Sequence, residues 1–356
     1  SAVRRGWRVT QSRQSLWKAP ASSGGRGPGR LAAVKLCVTG GAGYIGGHTV
    51  HALIDAGHDV VVFDNFSSGR ADVVPDGVPV VTGSVTDAGA LDEALSGGVD
   101  GVIHFAGFKH AGVSVDKPLL TYEENVVGMM RLVEAMERNG VGSIVFSSSS
   151  AVYGDVSEPV LFEDAPKRPA SPYGESKLIG EWILRNQGIA TGIKHCSLRY
   201  FNVVGSAVPG IYDTSPYSLL SMVFTALHNG ETPRMFGTDY DTPDGTCIRD
   251  FVHVGPLARA HIDVAEKLVS GDALEPAYNL GSGNGSSVKQ VIDEVRRVTG
   301  IDFTPQADPR RPGDPQKVVA SGDLAARDFG WKMEQSVAEM VSSAWREYQA
   351  AHGVSE

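Results

Sequence analysis

The sequence predicts an α/β fold: a doubly wound parallel sheet followed by a smaller, mostly helical lobe. Three observations carry this reading. A short apolar strand near residue 36 runs into a glycine-rich turn, a helical pattern, a second apolar strand and an aspartate. Apolar strands of four to six residues then alternate with helical segments as far as about residue 203. Such alternation implies parallel strands with helices on both faces. Beyond that point Gly and Pro become frequent and helical patterns dominate.

The first unit is Leu36-Cys-Val-Thr39, then Gly40-Gly-Ala-Gly43-Tyr-Ile-Gly46, then a helix ending near Gly57, then Asp59-Val-Val-Val-Phe63 and Asp64. This is the order of a Rossmann-type dinucleotide site. Glycines permit the tight turn and a close backbone approach, and the free N–H groups of the helix start favour a pyrophosphate. A carboxylate after the second strand accepts from ribose hydroxyls and repels a 2′-phosphate. NAD is therefore expected rather than NADP.

Val78-Pro-Val-Val81 reads as the third strand, with a helix from about Asp87. Gly101-Val-Ile-His-Phe105 is the fourth, ending in small residues over which a cofactor can lie. Pro118 to Asn139 reads as one long helix containing Asn125, a candidate cofactor contact or else a polar group of the core. Ser143-Ile-Val-Phe146 is the fifth strand and ends in the hydroxyl run Ser147 to Ser150. In open α/β sheets ligands sit beyond the carboxyl ends of strands. One loop later comes Ser171-Pro-Tyr-Gly-Glu-Ser-Lys177, where proline suits a first helical turn. Tyr173 and Lys177 then share a helix face. An ammonium beside a phenol favours the phenolate and makes proton abstraction from a hydroxyl feasible. Lys194 to Leu198 is the sixth strand, and further helices fall near 216–229, 255–270, 286–299 and 334–350.

Composition bounds the function. The chain has 356 residues, 42% hydrophobic, with no apolar run as long as a membrane span. A chain in solution is expected. Residues 1–34 carry seven Lys/Arg and no acid and read as a disordered basic extension, either a targeting peptide or a stretch upstream of the natural start. The remainder holds 25 Lys/Arg against 41 acids, which argues against nucleic-acid binding. Cys37, Cys196 and Cys247 are few and far apart, pointing to a reducing, cytoplasmic setting without disulfides. His48, His51, Asp55 and His58 complete no known metal pattern, so no metal is expected. No Gly-x-Ser-x-Gly elbow is present, which disfavours serine nucleophile chemistry. Arg249 and Arg311 lie in loops of this acidic chain and suit a diphosphate, unless each simply pairs with a neighbouring acid.

Taken together, these stretches resemble the UDP-glucose 4-epimerase family of the extended short-chain dehydrogenase/reductase superfamily. The matching runs include Val38 to Gly46, Asp64-Asn65, Val102 to Gly107 with Lys109, Phe146 to Ser149, Val152 to Asp155, Ser171 to Gly174 with Ser176-Lys177, and Leu198 to Asn202. Phe236-Gly237, Asp244 to Thr246, Arg249-Asp250, Tyr278 to Gly281 and Arg311-x-Gly-Asp314 extend the resemblance over about residues 35 to 350. It implies an NAD-binding domain at 35–203, a substrate-binding lobe at 204–356 and C4 interconversion of UDP-glucose and UDP-galactose through a transient 4-keto sugar.

By that resemblance Tyr173 is the base, Ser149 bonds the same sugar oxygen, and Lys177 holds the nicotinamide ribose and depresses the Tyr173 pKa. Gly40, Gly43, Tyr44, Ile45, Gly46, Asp64, Asn65, Ser84, Val85, Phe105, Ala106, Gly107, Lys109, Asn125 and Phe201 are the implied cofactor positions, beside Ser149, Tyr173 and Lys177. Asn202, Leu219, Phe236, Arg249, Arg311 and Asp314 are the implied substrate positions, again with Ser149 and Tyr173. A homodimer is implied as well. The chain departs from the family at Ser84, where an acid is usual, at Val113, and at Ser218, where asparagine is usual. The stretch before Ser218 is short. Val318 occupies a position whose size bears on N-acetylated sugars. The alternatives are a UDP-N-acetylhexosamine 4-epimerase, a nucleotide-sugar 4,6-dehydratase, or a non-catalytic NAD-binding sensor. The dehydratase reading lacks its Asp-Glu pair, since Ser150-Ala151 follow Ser149.

Overall fold

The computed structural model describes residues 33–155, 158–311 and 314–353. The expectation for the basic extension therefore lies almost wholly outside the described residues. Seven strands form one sheet. In chain order six are β1 (Lys35–Thr39), β2 (Asp59–Asp64), β3 (Val80–Thr82), β4 (Gly101–His104), β5 (Ser143–Ser149) and β6 (Lys194–Tyr200). The seventh, Ala277–Leu280, comes from the second half of the chain and lies beside β6. Across the sheet the order is Ala277–Leu280, β6, β5, β4, β1, β2, β3, and every pairing is parallel. The strand order reverses between β1 and β4. That is the switch point at which a crevice opens.

Capping side chains, proline and glycine mark the element boundaries. α1 (Tyr44–Asp55) starts at Gly43, which has no side-chain cap, so its first N–H groups stay available. α2 (Ala88–Leu95) is capped by the Asp87 carboxylate, which accepts from Gly89 and Ala90. A helix missed by periodicity, α3 (Ala111–Asp116), follows β4. The long helix expected over 118–139 divides into α4 (Pro118–Tyr122), a π-turn (Glu123–Val127) and α5 (Gly128–Arg138). The π-turn carries Asn125, and wide turns of this kind often mark sites. α6 (Pro172–Thr191) starts as expected: Pro172 occupies the first turn, Ser171 Oγ accepts from Gly174 N at 3.2 Å, and Gly192 closes the helix at φ 82°.

Leu91 of α2, Met129, Leu132 and Met136 of α5 and Leu184 of α6 share one apolar core with Phe63, Ile144 and Phe146 of the sheet. α8 (Val254–Ser270) packs against α1 and crosses β4, β5 and β6. The chain after 204 also forms α7 (Leu219–His228), α9 (Val288–Thr299), α10 (Asp323–Phe329) and α11 (Val337–His352). α7, α9 and α11 enclose a second core around Phe224, Ile292, Val295, Trp345 and Tyr348. Small sheets of two or three strands complete this half, among them Ile248–Arg249 between Ser286–Ser287 and Lys317–Val318. Among the described residues no helix is long and apolar enough to cross a membrane.

Candidate active site at the carboxyl end of the sheet

The glycine turn sits at the switch point and is fixed by close packing. Gly40 has φ 73°, and a Cβ there would lie 2.7 Å from the Ala106 nitrogen of the loop after β4. A Cβ on Gly46 would lie 2.1 Å from Gly40 O. Both positions exclude any side chain. Tyr44 and Ile45 form the first turn of α1, and the Tyr44 hydroxyl donates to Gly205 O.

Asp64 is buried at the end of β2, where its carboxylate accepts from Ala42 N at 3.0 Å and Phe66 N at 2.8 Å. It thus braces the glycine turn and keeps lone pairs for a ribose. Asn65 Oδ1 accepts from Ser67 N. Ser84 holds Thr86 in a local turn, and the Val85 side chain enters the core, leaving its backbone for a ligand.

The loop Phe105–Lys109 is held from beneath by Asn125. Its Oδ1 accepts from Phe108 N at 2.6 Å, while Nδ2 donates to Phe108 O and Ser176 Oγ, both at 2.9 Å. The amide is therefore committed to shaping the loop. Gly107, at φ 139°, has room for no Cβ, which would meet Asn125 Oδ1 at 2.5 Å. Lys109 is exposed.

Tyr173 and Lys177 meet as the helical spacing predicts. The Lys177 ammonium lies 5.8 Å from the Tyr173 ring centroid and 4.9 Å from that of Phe146. It donates to Ser147 O at 2.8 Å. The Ser149 hydroxyl is hydrogen-bonded to the Tyr173 side chain. So all three expected catalytic residues stand at one strand end. The acid–base balance differs from expectation. Burial raises the Tyr173 pKa above its ordinary value, with the Ser149 bond opposing. Burial also lowers Lys177 to about 8. The low-dielectric surroundings penalise both charged forms, so the net shift of the phenol is upward.

His104 packs at the end of β4, as its place in the strand pattern suggests: it is buried, bonded to Thr39 Oγ1 at 2.7 Å, and kept neutral by burial with its pKa lowered to about 3. Sequence reasoning missed other neighbours. Tyr200 bonds the Oγ of Ser147, the residue whose carbonyl accepts from Lys177. Ser114 of α3 accepts from Tyr173 N at 3.1 Å. Glu181, one turn beyond Lys177, pairs with Arg199 at 2.6 Å and accepts from Ser148 Oγ at 2.6 Å. Strand alternation gave a signal only for the β5 serines, since it turns successive ones to opposite faces.

The expected substrate residues form two contacts in the second half. Arg249 pairs with Asp314, and the Arg311 guanidinium stacks 4.1 Å from the Phe236 centroid. Arg311 also reaches Met222 of α7, one turn after Leu219. Asn202 follows β6 and bonds the Asp250 carbonyl, which places it next to Arg249. Phe201 is buried with Val152, Tyr153 and Leu178, and Val318 packs against this group. His48 and His51 bond backbone carbonyls and His58 pairs with Glu266; among the described residues no group of three or more His, Cys, Asp or Glu stands close enough for a metal ion.

With this geometry in place, comparison with known proteins is decisive. Residues 36–281 match the NAD dependent epimerase/dehydratase family. The chain belongs to that family. Within this epimerase/dehydratase family it is 39% identical over 316 residues to the UDP-glucose 4-epimerase of Corynebacterium glutamicum, covering 88% of this chain and 95% of that one. It is 42% identical over 305 residues to the UDP-glucose 4-epimerase of Azospirillum brasilense, covering 84% and 87%. The structure of UDP-glucose 4-epimerase from Bifidobacterium longum in complex with NAD+ and UDP superposes with a TM-score of 0.81 at 33% identity, over 90% of this chain and 99% of that one. The residues present fit the family's dinucleotide: an uncapped α1, a turn closed to any Cβ, and a buried carboxylate after β2.

Proposed function

We infer that this protein is an NAD-dependent epimerase that interconverts UDP-glucose and UDP-galactose at C4. The carrying observation is the meeting of Ser149, Tyr173 and Lys177 at the end of β5, beside the crevice that α1 opens. Family membership restricts what that constellation does.

The chemistry that NAD supplies when bound is reversible hydride transfer at the sugar C4. The remaining work falls to the chain. The N–H groups at the start of α1 would hold the pyrophosphate with Gly43 and Gly46 beneath it. Asp64 would accept from the adenosine ribose, and Lys177 would hold the other ribose. The Tyr173 oxygen takes the proton of the 4-hydroxyl and later returns it, while Ser149 holds the same oxygen. Lys177 stabilises the phenolate through its charge. Arg249 and Arg311 suit the diphosphate, since a guanidinium fork matches phosphate geometry. Asn202, Leu219, Phe236 and Asp314 frame the nucleotide. Firm nucleotide anchoring with loose sugar binding lets the 4-keto sugar turn before reduction on its other face.

Residues 35–203 would hold the dinucleotide and 204–356 the substrate, with α8 and Ala277–Leu280 returning to the first body. Val318 is small and lies beside Tyr153 and Phe201, which supports admission of UDP-N-acetylhexosamines. Exposed Leu119, Met130, Trp182 and Ile189 on α4, α5 and α6 support a homodimer through this face. Three free, buried cysteines support a cytoplasmic setting.

The test is incubation with UDP-galactose and no added cofactor. Formation of UDP-glucose without net NADH is expected. A lasting 4-keto-6-deoxy sugar would mean a dehydratase, and no conversion would mean a sensor. Turnover of UDP-N-acetylglucosamine is expected too; its absence removes the Val318 assignment.

A further inference from the structure

The segment from Gly205 to Tyr217 runs from the start of α1 to the loop after β4. Its first part is anchored firmly. Gly205 O accepts from Tyr44 at the start of α1, and Ala207 N donates to His48 at 3.1 Å. Val208 and Ile211 are buried against Val73, and Arg70 donates to Gly210 O at 3.2 Å. Glu347 of α11 accepts from Gly210 N at 2.8 Å. These contacts tie the segment to α1 and to the loop after β2.

The far part is held differently. Beyond Tyr212 the backbone bonds of the segment are local turns, Ser215 N to Asp213 and Tyr217 N to Ser215. Across the gap Tyr217 packs on His110, with ring centroids 4.7 Å apart, although Tyr217 is 56% exposed. His110 immediately follows Lys109, packs on Phe108 and starts α3, whose Ser114 holds the Tyr173 backbone. Tyr217 lies two residues before Leu219. The two rings thus join a loop assigned to the cofactor to the loop that leads into the substrate lobe. Burial keeps His110 low in pKa, with Lys109 adding to this and Asp213 opposing, so a neutral ring meets the tyrosine.

We propose that residues 205–217 form a strap over the bound dinucleotide, fastened at its far end, just before α7, by the Tyr217–His110 contact, and that opening this clasp is the route by which the dinucleotide leaves. The assignment rests on the cofactor reading above. An enzyme that regenerates its cofactor within each turnover gains from slow release, and one aromatic contact at an exposed end is a releasable fastening.

The experiment follows labelled NAD leaving the loaded protein during a chase with unlabelled NAD. Tyr217→Ala and His110→Ala are expected to release label roughly three- to tenfold faster, the range open to one aromatic pair. Tyr217→Phe keeps the ring and is expected to release at the wild-type rate. The double alanine variant should be no faster than either single one, since both remove one contact. With NAD saturating, epimerase turnover should stay near wild type. Wild-type release from both alanine variants overturns the strap. A wild-type chain that epimerises and holds NAD while the variants show no change sinks the strap alone; a wild-type chain that takes up no NAD sinks the cofactor reading with it.

Discussion

Tyr173 sits where burial raises its pKa and the hydrogen bond with Ser149 opposes the rise. Burial raises the phenol and brings Lys177 down to about 8, so the pair loses its first proton near that pH. A pair with one proton missing can exist as neutral tyrosine with neutral lysine or as phenolate with ammonium, and the second form is the base. Titration belongs to the pair as a whole. Below that pKa both groups are protonated and no base exists; above it one proton is gone. We therefore expect kcat/KM to rise with pH and level off above about 8, and Lys177→Met to move the rise to higher pH. A pH–rate profile that falls over this range would contradict the assignment. Tyr173→Phe removes the base altogether. Its kcat should drop by at least about 10²-fold with an unchanged circular dichroism spectrum. The spacing of these two residues was legible because a helix makes i and i+4 neighbours. The balance between them was not, because burial depends on Phe146 of β5, Ser114 of α3 and other residues distant in sequence.

At the scale of elements, the glycine turn was the most readable part, since its geometry admits few alternatives. Gly46→Ala would force a Cβ against Gly40 O, and overpacking of this kind costs about 1–3 kcal/mol. Thermal melting should show a lower Tm, and the purified variant should carry less NAD. α3 escaped detection because six residues are too few to establish a period. The π-turn escaped because its residues read as ordinary helix; only the packing of Gly128 on Val85 and the reach of Asn125 to Phe108 reveal why the turn is wide. The Glu181–Arg199 pair was invisible for a different reason, its partners lying on α6 and β6. Glu181→Gln leaves a buried guanidinium uncompensated and should cost about 3–5 kcal/mol, read by urea unfolding.

For the whole molecule, the alternation of strands and helices foretold the parallel sheet through β6. The seventh strand lay hidden in a stretch whose composition had already loosened, because one edge strand of four residues leaves little pattern. The apolar face of α4, α5 and α6 likewise reads as ordinary helix until burial is known. Leu119 is 82% exposed and Ile189 81%. If the chain forms the proposed homodimer, replacing both by glutamate should leave a monomer in sedimentation, with the fold kept; a wild-type chain that sediments as a monomer would remove the proposal.

The outer strand Ala277–Leu280 has a consequence for cutting the molecule apart. It completes the row beside β6, and α8 from the same half covers β4, β5 and β6. A fragment ending at residue 203 would bare one rim of the sheet and strip a layer from its face. The two halves are interleaved like folded hands, so neither should be recoverable as a stable piece by limited proteolysis.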